Sequence, residues 1–444
     1  MREIKFLRTS LFFVGALLFV LQSEAQELLS KEKAIEIALK NNFDVLMVKK
    51  NLEVAKNNTS ILNGGYLPTV STSASARHFV NTGESELQNG TINSVVDAES
   101  NRYSASVVLG YNNFNIYGQV YGLKKIREQY NLTELQVKSV MENTIQTLFL
   151  AYYEVARLEE NAKINKENLE VSKERLKRTQ LNFDYGQSSK LDVLNAEVDL
   201  RKDEVESLES DRALENAKRD LNIVLGRDVN SLFKVDKEVN YIFGLNKEEL
   251  LYKSQQNNTT LLQQKKNIEL SKYDIKINKA GWMPNVSLTS SYAWNKNIND
   301  DTSFQVYNQN RGLNYGVGLS WNLFDGGVSI NKTRNAKIAL DVKEIETEQL
   351  KTTIEKNILN AWKAYENLLN VLELQKKALE VNSINYKRSE EMYKLGQISS
   401  LDFRQAQQNL MNAQLQLSTT KFDTKNAELS LLRLSGDLLE NDKF

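Results

Sequence analysis

The sequence of 444 residues contains very few of the residues that carry most enzymatic and metal chemistry. It has no cysteine and a single histidine, His78. The lack of cysteine excludes disulfides, thiol catalysis and cysteine-ligated zinc. One histidine argues against histidine metal sites and against most acid–base catalysis by histidine. The carboxylates are spaced as on a solvated helix face rather than as a catalytic pair. We therefore expect a protein that is not an enzyme and that holds no metal or cofactor.

Proline and glycine are also scarce, and no charge predominates. The chain has 2 proline and 19 glycine residues, where average usage predicts roughly 22 and 31. A chain so poor in helix-breaking residues is expected to form long helices. The 57 basic residues balance the 57 acidic ones, so no net positive charge is present to attract nucleic acid, and no nucleic-acid partner is expected.

The N-terminal segment 1–25 has the pattern of a secretory signal peptide. Three basic residues are followed by an apolar run at 11–21, and small residues occupy Ser23 and Ala25. As a helix the run would rise about 16 Å, too little for a hydrocarbon core of roughly 30 Å. The alternative of a transmembrane anchor is therefore disfavoured. No later stretch is long and apolar enough for a transmembrane helix.

The remaining chain contains two copies of one unit. Residues 41–71 align with 257–287 at an offset of 216, and 13 of the 31 positions are identical. Further along, an offset of 210 relates Gly186 to Gly396. A long period seen only twice indicates a duplicated domain rather than a solenoid. The predicted organisation is a signal peptide at 1–25, a first repeat at 26–229, a linker at 230–245 and a second repeat at 246–444.

Long segments free of glycine and proline predict two helical hairpins, at about 116–225 and 327–435. Apolar residues from Leu350 to Leu372 recur at steps of three and four, which is typical of a coiled-coil seam. The uninterrupted segments are 123–185, 187–225, 328–395 and 397–435.

Each hairpin is predicted to turn at a short tip. Gly186 and Gly396 can adopt the left-handed conformation that ends a helix. The segments Ser189–Asp192 and Ser399–Asp402 then predict capping boxes that begin the next helices.

Two further segments, at about 68–112 and 284–324, predict β-hairpins. In the second, Leu313, Tyr315, Val317 and Leu319 alternate with small or polar residues. An apolar face opposite a polar face is typical of a membrane barrel strand with a watery interior, although a half-buried hairpin of a soluble domain would show the same alternation. We expect strands of about 10–14 residues, near the 9–11 needed to cross a bilayer. The hairpin ends at 81–101 and 296–312 are expected to be loops.

Four strands are too few to close a membrane barrel, so several chains must combine. Two chains would give eight strands, whose interior is filled by side chains, whereas three would give twelve and an open lumen. The predicted fold is thus mainly α with a small β part. The duplicated helical hairpins form an α-barrel, and four transmembrane strands per chain contribute to a trimeric 12-stranded β-barrel.

The chain resembles the TolC-like outer membrane efflux proteins over residues 30–440. The resemblance is carried by the duplicated plan, by W-N-L-F-D-G-G at 321–327, and by the tip sequences Y-G-Q-S-S-K-L-D-V from Tyr185 and L-G-Q-I-S-S-L-D-F from Leu395. It implies a homotrimer in outer membrane lipid, with its helical part in the periplasm. It also implies a passive exit duct that docks onto a periplasmic adaptor (membrane fusion) protein and, through it, an inner-membrane pump.

The resemblance also implies which residues form the tips and the periplasmic gate. Asp402 would line the constriction, and Asp192 would be tied to Tyr393. Ile398 and Gln405 depart from the family pattern and imply a less acidic, less strongly latched gate. A helix-capping role is the simpler alternative for both aspartates. The implied tip and gate residues are Gly186, Gln187, Ser189, Asp192, Tyr393, Gly396, Gln397, Ser399 and Asp402.

Two alternative functions remain open from the sequence. A type I protein secretion component would have the same channel architecture, because the partner pump selects the cargo. A secreted coiled-coil structural protein would share the helices but would not need strands with an apolar face.

Overall fold

The computed structural model describes residues 27–63, 66–242, 244–301, 303 and 305–439. The predicted signal peptide at 1–25 lies outside the described residues. Within them the chain is mainly helical with a small β part. None of the described helices combines the length and the apolar character that crossing a membrane would require.

The secondary structure repeats the order helix, helix, strand, strand, helix, helix. The helices are α1 Lys31–Asn41, α2 Phe43–Asn58, α3 Ile116–Asp184, α4 Lys190–Leu225, α5 Lys247–Asn257, α6 Thr259–Lys279, α7 Val328–Lys394 and α8 Ser400–Ser435. The strands are β1 Glu27–Leu29, β2 Thr69–Glu86, β3 Ile92–Phe114, β4 Phe233–Val235, β5 Asn285–Asn299 and β6 Tyr307–Ser320.

The described residues form two compact units, and each unit contains segments of both sequence repeats. The first takes the described residues up to Lys50, Gln136–Leu262 and those from Leu350 onward. The second takes Asn51–Leu135 and Gln263–Gln349. The compact units therefore do not follow the predicted repeat boundaries.

The core of the first unit is built on α3, α4 and α8. Phe149, Tyr152 and Tyr153 of α3 are fully buried against apolar residues of α4 and α8. Tyr152 also binds two segments of backbone, because its hydroxyl donates to the carbonyl of Leu29 at 2.7 Å and accepts from the amide of Asp236 at 2.9 Å. Burial raises the pKa of Tyr152 to about 12, so the hydroxyl keeps its proton.

A second cluster confirms the predicted apolar seam of α7. Ile354, Ile358 and Tyr365 are buried together with residues of α5, α6 and α8.

The linker predicted at 230–245 contains a strand that the sequence analysis missed. Within it β4 pairs in parallel with β1, Leu28 lying opposite Lys234. Three-residue strands show too little alternation to be recognised from sequence.

The second unit contains a four-stranded antiparallel sheet in the order β2-β3-β5-β6. The strands have 18, 23, 15 and 14 residues, so the prediction of 10–14 residues was wrong for the first three. Much of the predicted loops 81–101 and 296–312 is strand, because backbone pairing does not require apolar side chains. The connections are confined to about 87–91 and 300–306.

The other end of β6 was also predicted incorrectly. The strand ends at Ser320, so Trp321 and Leu323 lie beyond it. The indole of Trp321 donates to the carbonyl of Trp282 at 3.1 Å, outside the ladder of the sheet.

Candidate functional site at the helical tips

Each long hairpin turns through a short connection of five residues whose second residue is the predicted glycine. Gly186 and Gly396 have φ values of 74° and 73°. Residues with a Cβ rarely adopt such positive φ values. The amide of Gln187 donates to the carbonyl of Asn182 at 2.7 Å, and the amide of Gln397 forms the equivalent 2.8 Å bond at the second tip. Both helices thus end in the motif that satisfies their last carbonyls.

The serine and aspartate of each tip form the predicted capping boxes. The hydroxyl of Ser189 accepts from the amide of Asp192 at 3.2 Å, and the aspartate accepts from the serine amide at 2.9 Å. Ser399 and Asp402 repeat this arrangement at 3.2 and 3.3 Å. The bonds from Ser189 lower the pKa of Asp192. Each aspartate therefore caps a helix.

Tyr393 does not bind Asp192, contrary to the expectation drawn from the family. Its ring stacks on Phe403 with centroids 4.8 Å apart and planes 6° from parallel. Its hydroxyl lies 3.0 Å from Oγ1 of Thr179. Tyr393 is therefore held by Phe403 of α8 and Thr179 of α3, and Asp192 is already engaged by Ser189.

A line of buried polar residues on α3 forms a feature that the sequence analysis missed. Their spacing of four, three and four corresponds to the seam positions of a coiled coil. These residues are 0–7% exposed. We call these residues and their partners on α4 and α8 the polar seam. The α3 residues are Asn168, Ser172, Arg175 and Thr179.

The centre of the polar seam is a buried ion pair between α8 and α4. Arg404 binds both oxygens of Asp203, at 2.6 and 2.7 Å. The two residues are 3% and 1% exposed. The hydroxyl of Ser172 also donates to Asp203, so three helices meet at this carboxylate. The interpretation of the helix carboxylates as a solvated face was wrong for Asp203.

Further polar contacts of the seam join α3 to the second hairpin. Gln407 donates to Asn168 Oδ1 at 2.7 Å and to Ser172 Oγ at 2.9 Å. Arg175 pairs with Asp199 of α4 at 2.5 Å and also reaches the carbonyl of Ser400 at 3.3 Å. The polar seam therefore extends over several turns of α3.

The C-terminal ends of α3 and α7 line an open groove of about 680 Å³ at the tips. Its walls combine the aromatic rings of Tyr185, Tyr393 and Phe403 with charged side chains of both signs, among them Arg178 and Glu174. Arg178 also donates to the carbonyl of Lys394 at 2.8 Å.

The sheet of the second unit exposes an apolar face in the single chain. The alternating apolar residues of β6 are between 63% and 84% exposed. They are Leu313, Tyr315, Val317 and Leu319.

The sequence matches the profile of the outer membrane efflux protein family over residues 34–227 and 250–437. The chain belongs to this family. It is 24% identical over 331 residues to the outer membrane protein TolC of Vibrio cholerae, covering 72% of each chain. It is 21% identical over 414 residues to the probable efflux pump outer membrane protein TtgC of Pseudomonas putida, covering 91% of this chain and 82% of the relative.

Solved outer membrane channels share the fold. The Campylobacter jejuni channel CmeC superposes with a TM-score of 0.75 at 17% identity, over 92% of this chain and 86% of that one. The open state of the Neisseria gonorrhoeae channel MtrE superposes with a TM-score of 0.70 at 16% identity, over 92% and 89%. The comparisons confirm the predicted family, the mainly helical fold with a small β part, and the outer membrane location. This outer membrane efflux protein is therefore an exit duct of an efflux system.

Proposed function

We propose that this outer membrane efflux protein works as a homotrimer, with a 12-stranded barrel in outer membrane lipid and a helical tunnel in the periplasm. The observation that carries the proposal is the open sheet. Among the described strands, β2 and β6 are the outer ones, and each pairs on one side only. An unpaired strand edge in lipid costs several kcal/mol per backbone group. Pairing β6 of one copy with β2 of the next removes every edge.

The number of copies follows from the need for a lumen. Each chain contributes four strands. Eight strands leave room only for side chains, so twelve is the smallest closed barrel that conducts. The exposed apolar face of β6 would then contact lipid, and the small polar residues between would line water.

Exposed apolar residues on α4 support contact between copies in the periplasmic part. They recur at steps of three, four, seven and three along the helix, as in a coiled-coil seam, and α7 carries a similar set. Large exposed apolar patches mark interaction surfaces, and we propose that neighbouring copies cover them. The residues of α4 are Leu191, Leu194, Val198, Val205 and Leu208. Those of α7 include Leu374, Val381 and Ile384.

The proposed partners are a periplasmic adaptor at the tips and an inner-membrane pump that supplies the energy. The groove of aromatic and charged side chains at the tips offers a surface for a helical partner. Two relatives are named as components of antibiotic and toluene efflux pumps, which favours small-molecule efflux over protein secretion. The apolar sheet disfavours a secreted structural protein.

We further propose that Asp402 has a gating role in addition to capping. In a trimer three copies of this exposed carboxylate would meet near the axis at the tips. Like charges held close together repel one another and attract cations, so the ring would impede anions and bind divalent cations.

The assembly and the duct can be tested on the full-length protein purified from outer membranes in detergent. We expect a heat-modifiable trimer on gels and defined conductance steps in planar bilayers. Cells that lack the gene should become more sensitive to dyes and detergents. A monomer that stays soluble without detergent would contradict the proposal.

A further inference from the structure

The apolar face of the sheet carries a groove at the end where the strands adjoin the helices. The groove has a volume of about 730 Å³, within the range of roughly 300–1,000 Å³ that is usual for small-molecule sites. Its strand residues lie within five positions of the helical ends of β3, β5 and β6. The residues that matter here are Tyr66, Leu109, Tyr111, Leu288, Ser290 and Tyr315.

We propose that each copy binds one glycerophospholipid of the inner leaflet in this groove, with an acyl chain against the sheet and the phosphate at Arg127 of α3. The inference rests on the proposed function, because the groove meets that leaflet only if the sheet crosses the outer membrane with its apolar face towards lipid.

The groove exists because one small residue lies among large ones on the apolar face. In the strand ladder Ser290 of β5 lies between Leu109 of β3 and Tyr315 of β6. Tyr315 is 84% exposed, so its ring stands out from the sheet as one wall, and the short serine side chain leaves the space beside it unfilled. A flexible hydrocarbon chain that fills such a space gains dispersion contacts on several sides at once.

Polar groups gather where the groove meets α3. The hydroxyl of Tyr66 donates to the carbonyl of Gln119 at 2.6 Å. Burial raises the pKa of Tyr66, and the positive charge of Arg127 opposes the rise, so the guanidinium lies near this hydroxyl. Arg127 is itself exposed, and helical side chains lean towards the N-terminus, which in α3 is the end that joins the sheet. The groove therefore has a cationic end and an apolar body, as a phospholipid requires.

The carboxylates beside this part of α3 are already engaged by other cations. Glu128 pairs with Lys266 at 2.8 Å, and Asp274 pairs with Lys125 at 2.5 Å. An arginine can bind a phosphate through two parallel hydrogen bonds. At the boundary of the inner leaflet the phosphates are those of the lipid headgroups, and their acyl chains continue into the hydrocarbon region where the groove lies.

Lipid binding by the intact protein tests the site. The full-length trimer is titrated in mild detergent with dipalmitoylphosphatidylglycerol, and the lipids bound to each trimer are counted by native mass spectrometry. We expect binding to saturate at three lipids per trimer, one for each copy.

Two variants and two matched controls separate the groove from the charge. Ser290→Leu fills the groove and should abolish binding, whereas Ser290→Ala leaves it open and should bind normally. Arg127→Gln should weaken binding about tenfold, because a hydrogen-bonded charge is lost. Arg334→Gln removes an exposed arginine near the start of α7 that neither lines the groove nor acts on Tyr66, and it should bind normally.

Equal binding by all four variants would overturn the inference, and so would equal weakening by Arg127→Gln and Arg334→Gln, which would indicate general attraction by charge. Only intact trimers are counted, so a variant that fails to fold is recognised by the absence of its trimer peak, and the exposed Arg127 then decides. A conducting trimer that binds no phospholipid would refute this inference alone. If the unmodified chain forms no trimer or does not conduct, the proposed function fails instead.

Discussion

Gly226 permits the close approach of two helices because it has no side chain. It ends α4 with φ of 66°, and a Cβ placed there would lie 2.2 Å from the carbonyl oxygen of Asn41. Gly436 at the end of α8 repeats this, with a Cβ 2.5 Å from the carbonyl oxygen of Asn257. Each repeat thus depends on a close backbone approach that only glycine permits.

We expect Gly226→Ala to destabilise the protein more than Gly186→Ala. Both glycines have positive φ, which costs an alanine about 1–2 kcal/mol. A Cβ at Gly186 would meet nothing within 4 Å, so this variant is the matched control. At Gly226 the backbone must move, adding about 1–3 kcal/mol. Thermal unfolding in detergent should show the larger fall in midpoint for Gly226→Ala, and equal falls would contradict the close approach.

The proposed gating role of Asp402 can be distinguished from its capping role by comparison with Asp192. Loss of either cap should cost about 0.5–2 kcal/mol. Only Asp402→Ala should also raise single-channel conductance or reduce block by divalent cations. Asp192→Ala serves as the control with an equivalent cap. Identical channel properties for the two variants would argue against the gating role.

At the scale of elements, the polar seam shows that a coiled-coil seam can be polar without being exposed. Asn168, Ser172 and Thr179 occupy positions where apolar residues are usual. Ser172 and Asn168 have hydrogen-bond partners on α4 and α8, and Thr179 has Tyr393 of α7. Satisfied polar networks specify one arrangement of helices, whereas single unpaired members are costly.

Arg404→Met should destabilise the protein far more than removal of the whole ion pair. The single change leaves Asp203 buried without its partner, at a cost of about 3–5 kcal/mol. The double variant Arg404→Met with Asp203→Leu replaces both charges by apolar groups of similar volume and should regain most of that loss. Unfolding midpoints of the two variants test this. No recovery in the double variant would show that packing rather than charge dominates the site.

The exposed stripe of α4 should be needed for assembly. Leu194→Glu places a charge on a surface proposed to be covered by another copy, so the trimer fraction in detergent should fall. Leu194→Met keeps the surface apolar and should assemble normally. Size-exclusion chromatography with light scattering distinguishes the two. Normal trimers of Leu194→Glu would place the stripe outside the interface.

At the scale of the whole molecule, the sheet in the order β2-β3-β5-β6 is complete only in an assembly. Its unpaired outer strands are unfavourable in lipid, and its exposed apolar face is unfavourable in water. Closure by identical copies satisfies both through one repeated contact.

Mixed assemblies can count the copies directly. Co-expression of tagged and untagged chains should give four trimer species, because three positions are filled by either form. Native gels resolve them by the size of the tag. Three species would indicate a dimer and five a tetramer, and either result would contradict the proposed 12-stranded barrel.

Local sequence signals determined much of the fold and part of the site. The glycine-free segments set the long helices, Gly186 and Gly396 set the tips, and the serine–aspartate pairs set the caps. These features depend on backbone conformation and on residues three or four positions apart. The alternation in β6 likewise predicted its two faces. It did not predict the full length of β2 and β3, because these strands continue into polar sequence.

Only the tertiary structure decided which distant residues meet. Arg404 lies 201 residues from Asp203, and Tyr393 lies 214 from Thr179. The parallel pairing of β1 with β4 joins segments equally far apart. A charged residue has the same local pattern on a solvated face and in a buried seam, because burial is set by the neighbouring helices rather than by its own. The sequence therefore determined the long helices and their ends, while the packing of α3, α4 and α8 decided which charges formed the buried ion pair.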